Sequence, residues 1–361
     1  MFLAFGEIMA RIAPPGRLRW RQSVPGPVEV TWGGGEANVS VSLAMFGNDV
    51  RYVTALPRQP IAESLVDTLR GFGIDTGQII WRTTGRLGIY FVEIGANQRG
   101  STVFYDRHES SISLAGPDEY DFDAALAGVH WLHVSGITPA ISENAYLANL
   151  ELVRRAKQAG ATVSCDLNFR KKLWNWRPGT DPRTLARECM AQILPEVDVV
   201  IGNEEDAADV LDIHAEGSDV AQGQIVAAGY EVVARRIVER FSNVSRVAIT
   251  LRESISADHN NWGGMLFDAQ QEQTFFAPLA VDGQYTPYQI CDIVDRVGAG
   301  DSFAAGLLHA LAADTSTPQD AIRFAVAASC LKHSVHGDFN YVTEQEVKSL
   351  AAGNVTGRVQ R

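Results

Sequence analysis

Between residues 129 and 251, apolar runs of strand length alternate with amphipathic runs of helix length, and this alternation limits the possible folds more than any other feature. Val129 to Ser135, Thr162 to Asp166, Val197 to Ile201 and Arg246 to Leu251 read as buried strands. Asn144 to Gln158, Pro182 to Leu194 and Ile225 to Phe241 read as helices; Gly160 ends the first, and a proline stands near the start of the second. This rhythm predicts an α/β fold with a central, mostly parallel sheet and helices on both faces. Two more helices are expected near the C-terminus, Ser302 to Ala312 and Pro318 to His333, with little between them but a turn.

The N-terminal third breaks the rhythm. Segments 1–13, 86–94 and 101–106 read as strands, and Gly95 to Gly100 supplies a turn between the last two. Pro14 to Gly35 is rich in proline and glycine, and helical runs at 37–46 and 61–72 are closed by Gly47 and Gly73. Short strands without intervening helices predict a small antiparallel sheet added to the α/β body. Neither a repeat nor a linker-like shift in composition interrupts the chain. The expectation is one domain over residues 1–361, with a β lid built from about 1–35 and 86–112. The stretch Ser256 to Pro287 reads as a hairpin and active-site flap, or equally as a surface excursion.

Composition excludes several classes of function. Hydrophobic residues make up 46% and charged residues 20%, which rules out a disordered chain. A net charge of -12 argues against a nucleic-acid or anionic-membrane partner, since both call for basic patches. No apolar run has the length of a membrane helix, and Met1 to Glu7 lacks the basic start of a secretory leader. Cys165, Cys189, Cys291 and Cys330 are scattered, which predicts reduced, mostly buried thiols in a cytoplasmic protein. His130 and His133 do not suit a metal pair, and Ser135 and Ser302 have no paired base for a hydrolase triad. Trp174 and Trp176 read as packing or lid contacts.

The sharpest local signal is Asp295-Arg296-Val297-Gly298-Ala299-Gly300-Asp301-Ser302-Phe303, just before a run of helical period. Small residues at a helix N-terminus let backbone N–H groups turn toward an anion. An anion hole for a phosphoryl group beside a carboxylate base is what phosphoryl transfer to an alcohol needs. On spacing alone, the same residues serve equally well as an ordinary glycine loop capped by Asp301.

Gly298-Ala299-Gly300-Asp301 resembles the C-terminal signature of the PfkB, or ribokinase-like, carbohydrate kinases. Trp32 to Val39 is similar to the family's N-terminal Gly-Gly motif, and Asn203-Glu204-Glu205-Asp206 to its Asn-x-x-Glu motif. The three stand in family order over nearly the whole chain. Tyr105-Asp106-Arg107, His133 to Pro139, Ser164 to Trp174, Thr250 to Ser254 and Gly337-Asp338-Phe339-Asn340 further resemble the 2-keto-3-deoxygluconate kinases of that family.

The resemblance implies a ribokinase-like fold, ATP and Mg²⁺ as cofactors, and a sugar acid as substrate. It implies Asp301 as general base and an anion hole at Gly298, Ala299 and Gly300. Substrate contacts are implied at Gly33, Gly34, Asn38, Tyr90, Tyr105, Arg107 and Arg170, and ATP contacts at Asn203, Thr250, Arg252, Gly298, Gly300 and Asn340. Magnesium is implied near Glu204 and Asp206, through water. A homo-oligomer associating through the lid is expected. The arginines carry physical sense of their own, because only a guanidinium offers a planar, bidentate fork to a carboxylate.

Three departures from the family pattern stand out: Arg296 where threonine is common, Asp206 where glutamate is common, and Arg252-Glu253 where a glycine-rich turn often follows the strand. The rival readings are a kinase for 2-keto-3-deoxygalactonate, one for fructose, ribose or a nucleoside, and a sugar-acid sensor without catalysis. Neutral substrates need no arginine pair, and a sensor has no need of Asp301.

Overall fold

The computed structural model describes residues 1–203, 205–214, 227–313 and 315–354. Its chain opens with β1 (Phe2–Phe5), β2 (Met9–Ala13) and β3 (Glu29–Gly33). Then come β4 (Val50–Val53), the short pair β5 (Ala55–Pro57) and β6 (Ile80–Arg82), β7 (Ile89–Glu93) and β8 (Thr102–Asp106). The alternating region supplies β9 (Trp131–Ser135), β10 (Thr162–Asp166), β11 (Val199–Gly202) and β12 (Arg246–Ser256). β13 (His259–Asp268), β14 (Gln273–Ala277) and β15 (Tyr288–Ile290) follow.

The main sheet runs β14-β13-β12-β11-β10-β9-β1-β4, with β15 beside β13. From β4 to β12 every pairing is parallel, and β12, β13 and β14 continue it antiparallel. Successive side chains of a strand point to opposite faces, and β1 shows the result. Leu3 and Phe5 join a core with the helices Glu143–Gln158, Pro182–Ile193 and Ala227–Arg240. Phe2 and Ala4 join a second core, with Gly35–Met45, Ala299–Leu311 and Pro318–Lys332. Covered on both sides, the central strands are largely apolar, and all five residues of β9 are buried, His133 and Ser135 included. The fold is ribokinase-like, with helices on both faces of a mostly parallel sheet and a separate small sheet.

The predicted elements of the alternating region stand within a few residues of their expected limits; residues 225 and 226 of the third helix lie outside the described residues. Three expectations are corrected. β1 belongs to the main sheet, between β9 and the edge strand β4, so residues 1–8 lie outside the small sheet. The lid sheet runs β3-β2-β7-β8 and is mixed, because β2 and β7 pair in parallel. Strand β12 runs past Leu251 to Ser256, and β13 and β14 extend the main sheet, so most of 256–287 is not a flap. The hairpin reading itself holds, since β13 and β14, both inside the stretch, pair antiparallel from Gly264↔Ala277 to Asp268↔Gln273. Cys291 is exposed just beyond β15, whereas Cys165 and Cys189 are buried.

Candidate active site

An open α/β sheet offers its crevice beyond the carboxyl ends of the strands, where the strand order turns back. Here the chain goes from β1 out to β4 on one side and returns to β9 on the other. The loops after β1, β9, β10 and β11 and the far half of β12 line one cavity of about 350 Å³, with the lid sheet as its roof.

Asp301 stands in the first turn of the helix Ala299–Leu311, whose N-cap Gly298 has φ 83. A Cβ on Gly298 would lie 2.2 Å from the Asp338 carbonyl oxygen, so both the conformation and the close approach demand glycine. Gly300, which also lines the cavity, has no such restriction; a Cβ there would meet nothing within 4 Å. Asn38 donates to Asp301 Oδ2 at 2.7 Å and, more weakly, to Asp338 Oδ2 at 3.4 Å. Burial pushes the Asp301 carboxyl up to about 7; the Asn38 amide opposes this, the Asp338 charge adds to it, and the Arg170 charge opposes it.

The glycines of 33–35 bring the helix Gly35–Met45 against this point. A Cβ on Gly34 would lie 2.1 Å from the Glu7 carbonyl, so the motif touches the backbone after β1. Glu36, fully buried, accepts from Ser135 Oγ at 2.7 Å and Thr138 Oγ1 at 2.8 Å, which ties the motif to the loop after β9.

The lid contributes Tyr90 and Tyr105, and Arg107 follows β8 directly. Tyr90 donates to Asp338 Oδ1 at 2.5 Å, and burial holds its phenol well above the usual range. Arg107 is buried, pairs with Glu7, and lies 5.6 Å from the Tyr105 ring. On the opposite wall, Asp166 ends β10. Burial and the charges of Asp206 and Asp301 raise it well above the carboxylate range, and Arg170 opposes the rise. Asp206 accepts the backbone amides of Phe169 and Asn203, each at 2.9 Å, and so fastens the loops after β10 and β11 together.

Beyond the Gly298 loop the wall is cationic. Arg296 donates to the Ser256 and Ala257 carbonyls at 3.0 and 2.6 Å, which aims it inward rather than to solvent, close to Arg252. Thr250, Asn260 and Trp262 share this wall with His333, whose imidazole burial pushes down to about 4. Buried Asn260 Nδ2, Trp262 Nε1, Arg296 Nε and His333 Nε2 have no hydrogen-bond partner among the described residues, as suits a wall built for a polar ligand such as a nucleotide.

Of the residues expected from sequence, Asp301, Gly298, Ala299, Gly300, Gly34, Asn38, Tyr90, Tyr105, Arg107, Arg170, Asn203, Asp206, Thr250 and Arg252 all face this cavity. Two do not. Gly33 packs beneath it, with a Cβ position 2.2 Å from Asp338 Oδ2. Asn340 is buried behind the loop, where it donates to Ser302 Oγ and accepts from the Val342 amide. Glu204 lies outside the described residues. Sequence reasoning misses Glu7, Asp166 and Asp338, although Asp166 and Asp338 lie inside segments that carry the resemblance. The usable signal is an acid at the end of a strand or beside a glycine.

A carboxylate poised near neutrality, beside a glycine-capped helix N-terminus and a cationic wall, equips the site for phosphoryl transfer to a hydroxyl. The sequence profile of the pfkB family of carbohydrate kinases matches residues 2–237 and 277–344, and the chain belongs to that family. Among solved structures it is similar to the 2-dehydro-3-deoxygluconokinase of Thermotoga maritima, at 41% identity and TM-score 0.87 over 98% of this chain and 99% of that one. It is also similar to a PfkB family carbohydrate kinase of Listeria grayi, at 30% identity and TM-score 0.84 over 97% and 99%. The 2-dehydro-3-deoxygalactonokinase of Haloferax volcanii is 29% identical over 98% of each chain.

Proposed function

We propose that this carbohydrate kinase transfers the γ-phosphoryl group of ATP to the primary hydroxyl of 2-keto-3-deoxygluconate, giving 2-keto-3-deoxy-6-phosphogluconate and ADP. The observation that carries the reading is the presence of Arg107 and Arg170 on the walls of the cavity that holds Asp301. A keto-deoxy acid brings a carboxylate for these guanidinium groups; a neutral sugar brings none. Tyr90, Tyr105, Asn38 and Gly34 shape the rest of the sugar end.

In this reading Asp301 takes the proton of the primary hydroxyl as its oxygen attacks the γ-phosphorus and the bond to the bridging oxygen of ADP breaks. A base with a pKa near the operating pH serves this step well. The N–H groups of Gly298, Ala299 and Gly300 stabilise the charge on the transferred oxygens, and Asn203, Thr250, Arg252 and Arg296 hold the nucleotide. Closure of the lid side excludes water that would otherwise compete with the sugar.

Magnesium suits the site. Asp166, Asp206 and Asp301 crowd their charges on one wall with Arg170 as counter-charge, and a divalent cation would relieve them. Among the described residues no three His, Cys, Asp or Glu side chains stand grouped for a metal. Magnesium would therefore be held by Asp206 or Glu204 through water, together with the phosphates, whose charge it neutralises.

The lid also supports a homo-oligomer. Val30 and Phe104 are exposed on it, Phe104 at 67%, and β8 is an edge strand. No helix of the described residues is long and apolar enough to cross a membrane, and the cytoplasm is the proposed compartment.

One assay tests the substrate. Coupled ADP release is measured with 2-keto-3-deoxygluconate, 2-keto-3-deoxygalactonate, fructose, ribose and a nucleoside. The acids should far exceed the neutral compounds, with the gluconate highest. The galactonate is the second reading, since a relative similar along its full length is named for it. Preference for a neutral sugar would defeat both.

A further inference from the structure

Lys332 ends the helix Pro318–Lys332 and has 0% exposure, a rare state for an ammonium group. It does not line the cavity. Instead it lies beneath the Gly298 loop, with Cε 3.3 Å from where a Cβ on Gly298 would stand. Nζ donates to the Val335 carbonyl at 3.1 Å, just past the helix end, where exposed carbonyls favour a cation.

The charges of Asp295, Asp338 and Asp301 act on it from beyond ion-pair distance, as does that of the Arg11 guanidinium. Arg11 bridges Asp295 at 2.5 Å and Asp338 at 2.8 Å. Asp295 in turn accepts the amides of Val297 and Gly337, each at 3.1 Å. The loop's own backbone is thus pinned by a carboxylate whose charge is balanced from below. The two buried carboxylates under the loop face two buried cations, Arg11 and Lys332, and removing one cation leaves charge uncompensated.

We propose that Lys332 is a positioning residue for phosphoryl transfer: packed under Gly298, its buried ammonium balances the charge of Asp295 and Asp338, so that the amides of Gly298 to Gly300 point into the cavity. The proposal rests on the reading of that loop as the phosphate cradle.

The test compares Lys332→Met, which keeps length and removes charge, with Lys332→Ala, which leaves room for a small amine. Misplacement of a reacting group by about an ångström costs up to ~10²-fold. Lys332→Met should therefore lose about 10–100-fold in kcat, with KM for the sugar little changed and a cooperative thermal transition retained. Methylammonium or ethylammonium should restore part of the lost turnover of Lys332→Ala, whereas tetramethylammonium and sodium chloride at equal ionic strength should not. Native kcat in Lys332→Met would overturn the proposal. So would a folded Lys332→Ala that no amine improves, or two variants that stay unfolded even with amine, since Lys332 would then serve folding alone. Gly298→Val separates the two readings. If it is inactive while Lys332→Met is native, the cradle stands and only the lysine proposal fails; if it is fully active, the cradle itself fails.

Discussion

The side-chain amide of Asn38 donates to Asp301 Oδ2 at 2.7 Å across 263 positions of sequence. A donor there favours the ionised carboxylate, while burial and Asp338 favour the protonated one, and the balance leaves Asp301 titrating at about 7. Asp301→Asn keeps the shape and removes the proposed base. Turnover should fall by ~10²–10⁴, with ATP still bound in a calorimetric titration. The rise of wild-type kcat through pH 7 should vanish from whatever activity remains.

The same carboxyl links stability to pH. Its folded pKa lies above the unfolded value, so between about 4 and 7 the folded state binds more protons and loses stability as pH rises. A neutral amide in place of this carboxyl escapes the loss. In calorimetric melts Asp301→Asn should be the more stable protein at pH 8, and the difference should close toward pH 4. A wild-type protein more stable than the variant at pH 8 would contradict the buried, destabilised carboxylate.

Gly298 and Gly300 should behave differently, although the sequence presents them as equals. At Gly298 any side chain meets both a left-handed φ and the Asp338 carbonyl, so Gly298→Val should abolish turnover and lower the melting temperature. At Gly300 the backbone is helical and the space is open. Gly300→Val should keep its melting temperature and instead raise KM for ATP, because its methyl groups enter the cavity.

Arg107→Ala and Arg170→Ala should each raise KM for the proposed acid by the loss of a charge-assisted hydrogen bond, about 1.5–3 kcal/mol or roughly one to two decades. A neutral, reduced analogue should be affected far less. The two should part in stability. Arg107 is buried against Glu7, and its loss strands that carboxylate, whereas Arg170 is exposed, and its loss, which removes only a solvent-screened counter-charge from Asp166, Asp206 and Asp301, should lower the melt less.

Phe104→Asp places a charge on the apolar outer face of the lid. If the lid joins copies of the chain, light scattering should show a smaller particle for the variant. An unchanged mass would remove the lid from the interface.

The body of the fold is legible in the sequence because its strands are buried on both faces and its helices on one, which writes two different periods into the chain. β1 is easily misassigned because Phe2 to Phe5 is as apolar as any lid strand, and only long-range pairing with β4 and β9 distinguishes it. The Gly298 loop is legible as a pattern, since its glycine and the helix it opens are local necessities. Asp338 is not, because its importance comes from partners at positions 11, 38 and 90, which no local spacing reveals. Asn340 shows the converse: a polar residue in a matched segment that the fold spends on its own backbone.

The salt bridges from Arg11 to Asp295 and Asp338 join a lid strand to the loop beneath Asp301. The roof of this enzyme is therefore not an exchangeable module. Transplanting residues 9–33 and 89–106 from a kinase of other specificity would carry away Arg11 and Tyr90 and leave two acids stranded in the interior. A chimera must import positions 295 and 338 along with the roof, so the small sheet and the Gly298 loop change together or not at all.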